Sequence, residues 1–591
     1  MDVDPARLAV VWPGGAASLQ PRAMQVLTAL AKAGGAVVSL SDLIAECWGG
    51  RAVSHDAVHR IIHLLRKLSA ESGGCGFSIH NVARVGYRLS APGLTLPGRH
   101  DRAAAPLLAV LAFDDLTGEP DLGHFSDGVS EELLHTVSRT TDARVIGRSS
   151  SFALRGADKS GPRVAELLGA THLLDGSVRR GADAVRVNAQ LVECATQTQV
   201  WSGRFDRPLA DVLALQDDIA AAVARALDVA FSPSRSVGPI DPMAFDLYLR
   251  ARDAAGLAPN IALLEQATAR DPGFAAAWAL LAYARSMVLR WAGGEDLARR
   301  RADVEAAART ALALDPNAGP AHLALSAILP ICGALAEQRA LVARALAATP
   351  NDVAVLSHAA GLDDIAGFQR RALEKIRRAY ELDPRATGWY LVSLLEAVGR
   401  RDEAEAVLAR DLARWPDFPI LVATALRSAC DAGDWDLYDQ RLAAAPAGVL
   451  GNPVMGLVRA LTERLRGFSP AVAAETIDAL RAQATATGAV SLTWAGVLAE
   501  RGYAEAAWEA IDAASFAALF TPDGRLPTGE FGLNVLFGPA CAALRRDPRF
   551  PTLCARLGLA RFWADADEWP DCAAHLAPLY DFQAECRRAL E

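Results

Sequence analysis

Val58, Ile61, Ile62, Leu65 and Leu68 recur at helical spacing near the start of the chain, a stripe that predicts an amphipathic helix with one face on a core. Ser54 stands just before it and is a good N-cap, because its hydroxyl can accept an orphan backbone N–H of the first turn. At about 100° per residue, Asp56, Arg60, His63 and Lys67 fall on the side away from the stripe. Side chains that project from a helix anchored in this way are what the reading of base edges in a major groove requires. A segment from Ile79 to Leu89 follows and predicts a two-stranded wing. Gly86 permits its tight turn, and Arg84 and Arg88 bracket that turn with charge suited to phosphates or a minor groove.

Three prolines and two glycines within residues 90–106 break helix and strand alike and predict a linker. Leu107–Phe113 is then an apolar run of strand length. Ser126-Asp127-Gly128 caps a helix through Val137, residues 143–147 form a second strand, Arg163–Leu168 a short helix and Thr171–Leu174 a third strand. Val185–Val192 alternates with period two, Gln199–Phe205 follows as a further strand, and Leu209–Leu227 closes the segment as a long amphipathic helix. This order predicts a mixed α/β or α+β layer domain.

Prolines at 272, 316, 350, 384 and 416 are separated by 44, 34, 34 and 32 residues, which is the tetratricopeptide period. In that phase Trp278, Leu281 and Ala282 take the large–large–small positions of a first helix. Ala372 with Ala379, and Gly399 with Ala404, fall where a second helix approaches closely. The long first interval is assigned to an insertion around Trp291. Beyond Pro446 the period degrades, although alanine-rich helical patterning continues through Trp508.

The chain has 591 residues, more than one hydrophobic core organises, and an ordinary globular composition. Its net charge is −9, yet residues 1–95 hold nine Lys/Arg against six Asp/Glu, a local +3 that leaves −12 for the rest. Basic charge therefore gathers where the amphipathic helix lies, and the acidic remainder repels non-specific DNA. The nine cysteines are scattered without a C-x-x-C pair, which suits reduced thiols in cytoplasm. Cys572 and His575 are three apart, but two ligands do not make a zinc site. No apolar run approaches the ~18 residues of a membrane span, and Leu8–Trp12 is too short for a signal peptide. No membrane association is expected, and the localisation expected is cytoplasmic.

The helix–Trp48-Gly-Gly–helix pattern, Leu65-Arg66-Lys67 and the terminal Val85-Gly86-Tyr87-Arg88 resemble the OmpR-type winged helix, in wording closest to the ToxR/CadC-like variant. The resemblance covers roughly residues 7–90. It implies binding of promoter DNA, with Asp56, His59, Arg60, His63, Arg66, Lys67, Arg84, Tyr87 and Arg88 as the candidate contacts. Leu64 departs from the family pattern, which often carries a polar or basic residue there. Val110-Leu-Ala-Phe-Asp-Asp-Leu116, Phe125-Ser-Asp-Gly128, Ile146-Gly-Arg148-Ser-Ser-Ser-Phe152, Asp175-Gly-Ser-Val-Arg179, Val200-Trp201-Ser-Gly-Arg-Phe-Asp206 and Ala214-Leu-Gln-Asp217 resemble a bacterial module related to the TolB N-terminal domain. In related proteins that module lies between tetratricopeptide repeats and an output domain, either a winged helix or a class III adenylate cyclase. Asp547-Pro-Arg-Phe550, Leu557-Gly-Leu559, Trp563 and Trp569-Pro-Asp571 are similar to the terminal segment of such proteins. They read physically as a cap on the last repeat.

The fold expected is multidomain: an α+β winged helix over 5–90, a linker over 91–105, an α/β mixed-sheet middle domain over 106–231 and a C-terminal all-α tetratricopeptide-type solenoid over 240–591. In the middle domain Asp127, Gly128, Arg148, Ser149 and Ser150 can grip an anion through free N–H groups, hydroxyls and a guanidinium; the alternative is helix capping plus an Asp127–Arg148 ion pair. A Walker A lysine, G-x-G-x-x-G, H-E-x-x-H and G-x-S-x-G are all missing, and the winged helix fills the place a cyclase would take. No enzymatic activity and no cofactor are therefore expected. The function expected is a sequence-specific, one-component transcription regulator. Its middle and repeat domains sense a signal, assemble the chain as a homodimer or bind a protein or peptide on the repeats. The rival is an interaction scaffold whose winged helix no longer binds DNA, and a third alternative is an enzyme with an unrecognised site in the middle domain.

Overall fold

The computed structural model describes residues 2–4, 9–12, 15–32, 37–39, 55–71, 78–82, 86–90, 106–116, 123–140, 143–156, 158–181, 184–208, 211–227, 229, 240–253, 257–291, 296–527 and 532–591. These belong to two compact units, Met1–Ala105 and Pro106–Glu591. The predicted linker, Trp48-Gly-Gly, Ser54, Arg84 and the side chain of Asp56 lie outside the described parts.

In the first unit β1 (Asp2–Asp4), β2 (Ala9–Trp12) and β3 (Gly15–Ser18) form an antiparallel meander, which the helical periodicity did not foretell. The helix Pro21–Lys32 buries Ala23, Met24, Val26, Leu27 and Leu30 and packs on the helix His55–Glu71. A second sheet has the order β4 (Val37–Ser39), β6 (Gly86–Ser90), β5 (Ser78–Val82). The β5–β6 pair, with Val82 opposite Gly86, is the predicted wing.

The second unit opens on a mixed sheet. β10 (His172–Arg180), β7 (Leu107–Val110) and β9 (Arg144–Val145) run parallel, while β11 (Ala184–Glu193) and β12 (Gln199–Pro208) continue antiparallel beyond β10. The short β8 (Asp114–Asp115) adds to β10. The apolar run at 108–111 is explained by burial on both faces: Leu108 and Val110 enter one core, Ala109 and Leu111 another. On β11 the period is two, with Val185, Val187, Ala189 and Leu191 turned inward. The helices Gly123–Thr140 and Val212–Ala226 cover that inner face, and Gly161–Leu168 covers part of the other. Ser126-Asp127-Gly128 does not cap the first of these helices but lies within it, because the helix begins three residues earlier. Ser126 instead donates its hydroxyl to the Phe113 carbonyl at 2.8 Å.

The first core passes without a break into the helices Pro242–Asp253, Leu257–Arg270, Ala275–Trp291 and Leu297–Leu314. From here the unit is all-helical. The predicted prolines stand where expected: Pro272, Pro316, Pro350 and Pro416 follow helices ending at Arg270, Leu314, Ala348 and Arg414, and Pro384 opens Pro384–Ala397. Glycines carry a second periodic mark. Gly333, Gly367, Gly399 and Gly433 all take positive φ (+81°, +77°, +77° and +71°), at the turns inside successive helix pairs. Gly399 therefore serves backbone conformation, not the close approach expected of it, since nothing lies within 4 Å of a Cβ placed there. The close approach falls at Gly388, where a Cβ would come 2.5 Å from an Asp411 carboxylate oxygen.

The C-terminal segment packs well beyond the helices that directly precede it. Its side chains share one core with Cys332, Leu335, Ala366 and Phe368, about 200 residues back along the chain. Buried Trp563 donates its indole N–H to the Ala366 carbonyl at 2.9 Å, and Asp571 accepts the Arg370 backbone N–H at 2.8 Å. Apolar surface on Trp563, Phe550 and Phe582 drives this return.

Candidate nucleic-acid interface

The helix His55–Glu71 divides as its sequence demands. Val58, Ile62, Leu65 and Leu68 are buried, while Arg60, His63 and Lys67 are exposed on the far side. Ile61, at the margin of the stripe, is only half-buried. Leu64 is 44% exposed within the basic face.

Three other candidates tie this helix to the wing. The Tyr87 hydroxyl lies 2.6 Å from His59 Nδ1, with the rings 6.0 Å apart and edge-on at 78°. Arg66 Nε donates to the Ile79 carbonyl at 2.9 Å. Tyr87 is buried, and desolvation pushes its phenol up against the pull of Arg66. His59 and Tyr87 fix the helix over β6, and Arg66 fixes it over β5. Arg88 is exposed on β6. The structure thus gathers Arg60, His63 and Lys67 on one outward stripe, and assigns His59, Arg66 and Tyr87 to the joint with the wing.

In the second unit, the groups offered to an external anion meet the chain's own. The Asp383 carboxylate accepts from the Ser149 N–H at 3.1 Å and the Ser150 hydroxyl at 2.7 Å. It also caps Pro384–Ala397 through the Ala386 N–H at 3.2 Å. Gly147 donates to the Leu382 carbonyl at 2.6 Å, and a Cβ on Gly147 would lie 2.4 Å from Asp383. Burial raises the Asp383 carboxyl pKa, opposed by these hydrogen bonds. Arg148 pairs with Glu131 at 2.9 Å, and Asp127 pairs with Arg155. Burial alone would raise the Glu131 pKa, but Arg252 and Arg148 outweigh it and hold the carboxyl below its usual range. Gly128 is packed under Leu249, 2.6 Å from where a Cβ would stand.

No motif points to the open cavity of about 510 Å³ on the outer sheet face, lined by Asp114, Asp175, Ser177, Asn188, Gln190 and Arg204 among others. Two of these lining carboxylates are held by Lys159, which bonds to the Ala112 carbonyl and to Asp114, both at 2.8 Å, and to Asp175 at 3.3 Å. Burial works against its charge, but the two carboxylates win and raise the ammonium pKa. These side chains can hydrogen-bond a polar molecule, and their own ion pairs satisfy much of that capacity. Among the described residues no group of three or more His, Cys, Asp or Glu is placed to hold a metal ion, and no helix is long and apolar enough to cross a membrane.

Residues 14–89 match the family described as "Transcriptional regulatory protein, C terminal". The chain therefore carries the winged-helix domain of DNA-binding transcription regulators at its N-terminal end. It is also 35% identical over 267 residues to a protein of Rhizobium meliloti (strain 1021) named putative adenylate cyclase 3, a span of 43% of this chain and 44% of that relative. Less than half the relative's length is thus represented. The span is more than three times the winged-helix match, so most of it lies outside residues 14–89. This likeness corrects the expectation that the chain has no enzymatic activity, since an extended part of it is shared with a protein bearing an enzyme's name. The expectation rested on contiguous motifs, and catalytic groups brought together from distant positions by the fold leave no such motif.

Proposed function

We propose that the chain is a sequence-specific DNA-binding transcription regulator in which Arg60, His63 and Lys67 enter the major groove and Arg88 meets the backbone beside it. The observation that carries this reading is the division of the helix His55–Glu71, four apolar residues buried and the cations turned out, inside a span matching a transcription-regulator family. His59, Arg66 and Tyr87 serve it by holding the helix at a fixed angle to the wing. Asp56 and Arg84 complete the proposed contacts.

Residues 106–591 act in this reading as one rigid platform. Its helices form a tetratricopeptide-type solenoid, supported by the proline period and by the left-handed glycines that repeat with it. The shared core and the Asp383 contact favour bracing of the mixed-sheet domain by the helices. The platform would hold two winged helices together as a homodimer and so raise the effective concentration of the second. Mapping the chain's occupancy across its own genome tests the reading: discrete promoter sites support it, and uniform background refutes it.

A second reading is favoured by one observation, the 267-residue likeness to the protein named putative adenylate cyclase 3. Here the shared segment carries that activity. Against it, the larger part of the relative lies outside the shared span and leaves room for a different output domain there. Incubating the full chain with ATP and measuring cyclic AMP separates the two readings.

A further inference from the structure

Leu64 is a large apolar side chain, 44% exposed, on a helix that buries Val58, Ile62, Leu65 and Leu68. It follows Arg60 by four residues and precedes Lys67 by three, so the three occupy adjacent places on one helical face. His63 is exposed beside it. An exposed leucine among cations contributes little to the fold. His59 and Arg66, well round the helix from it, are the residues held by Tyr87 and by the Ile79 carbonyl, so the wing joint does not use Leu64 either. The surface that this face would meet, if it enters a major groove, carries a single kind of apolar group. That group is the 5-methyl of thymine, and apolar side chains read it by contact.

We infer that Leu64 is a specificity-determining residue that packs on a thymine methyl, at a base pair next to the one that Arg60 reads. The inference rests on the DNA-binding reading above. It assigns the stripe two kinds of readout. Arg60 supplies hydrogen bonds to base edges and Lys67 supplies charge toward a phosphate, while Leu64 supplies an apolar contact blind to hydrogen-bond pattern. Removal of the methyl exposes both partners to water. The loss is roughly four-fold in affinity, or about 0.8 kcal/mol, the value of one buried methyl-sized group.

The test begins with full-length protein and a randomised duplex library, from which the preferred sequence is recovered. Each thymine of that sequence is then replaced singly by uracil, which deletes the 5-methyl and leaves every hydrogen-bonding atom. The wild type should show one thymine at which the replacement weakens binding about four-fold. In Leu64→Ala the same replacement should have no effect, with the salt dependence of binding unchanged. Leu64→Arg should bind a selected sequence in which guanine replaces that base pair. An enriched sequence insensitive to every thymine-to-uracil change overturns this inference alone. So does a sensitive thymine whose effect survives Leu64→Ala. Recovery of no enriched sequence overturns the DNA-binding reading and this inference with it.

Discussion

Replacing Asp383 by alanine should loosen the mixed-sheet domain from the helices that brace it. The carboxylate accepts three hydrogen bonds, from the Ser149 N–H, the Ser150 hydroxyl and the Ala386 N–H, and it is only 3% exposed. Hydrogen bonds to a charged group contribute about 1.5–3 kcal/mol each, but burial of the carboxylate offsets part of that, as its raised pKa records. A helix cap is worth about 1 kcal/mol. The net loss for Asp383→Ala is therefore about 3 kcal/mol, of which about 1 belongs to the cap. Asp383→Ser separates the two parts, because serine still caps Pro384–Ala397 but is too short to reach residues 149 and 150. Urea unfolding of the full chain, followed with hydrogen exchange over residues 144–154, reads both. Asp383→Ser should recover only the capping part and leave 144–154 exchanging faster than in the wild type. In a cycle with Ser150→Ala, Asp383→Ser should show a coupling of about 1 kcal/mol. If Asp383→Ser matches the wild type in stability and exchange, the carboxylate is a helix cap and nothing more.

Other outcomes follow from the same contacts. Tyr87→Phe removes the 2.6 Å bond to His59 and should cost about 1–2 kcal/mol, seen as a lower melting temperature of the DNA-binding unit; an unchanged melt would mean that this bond does not hold the helix to the wing. Burial pushes the Asp364 carboxyl up to about 6 from 3.8, against hydrogen bonds from Asn534 and Tyr390. The folded chain therefore binds this proton more tightly than the unfolded one. The group's contribution to stability is fully present below the unfolded pKa and is lost as pH rises through about 6. Asp364→Asn should flatten that window and gain up to about 3 kcal/mol at pH above 7, and equal pH profiles for variant and wild type would count against the buried charge. Gly388→Ala gains about 1 kcal/mol in helix propensity but drives a Cβ to 2.5 Å from Asp411. The overpacking, about 1–3 kcal/mol, should win, and a more stable variant would show the helices to be further apart.

Several elements are legible in the sequence because their signals need no knowledge of tertiary contacts. The helix His55–Glu71 and the alternation on β11 each need one segment only to be read, and the proline period needs only counting along the chain. The meander β1–β3 was missed because three- and four-residue strands are too short to show a period. The start of Gly123–Thr140 was misplaced because Ser126 and Asp127 look like capping residues, although their bonds run sideways, to the Phe113 carbonyl and to Arg155. The roles of His59, Arg66 and Tyr87 depend on contacts across 28 and 13 residues, which helical phase does not reveal. Least legible was Asp383, which lies more than 230 residues from the serines it holds. The sequence had marked both ends, Ser149-Ser150 as an anion grip and Pro384 as a repeat boundary, without a means to join them.

The most direct test of the central claim is the affinity of the full-length chain for duplex DNA, measured by fluorescence anisotropy over a range of salt concentrations, with Arg60→Ala and Lys67→Ala beside the wild type. The account predicts that log K falls linearly with log salt as phosphate contacts release counterions. Lys67→Ala should reduce the slope by about one, and Arg60→Ala should weaken the preferred sequence by about 1–3 kcal/mol. Salt-insensitive binding, no binding at micromolar protein, or variants indistinguishable from the wild type would contradict it and favour a winged helix that docks protein instead.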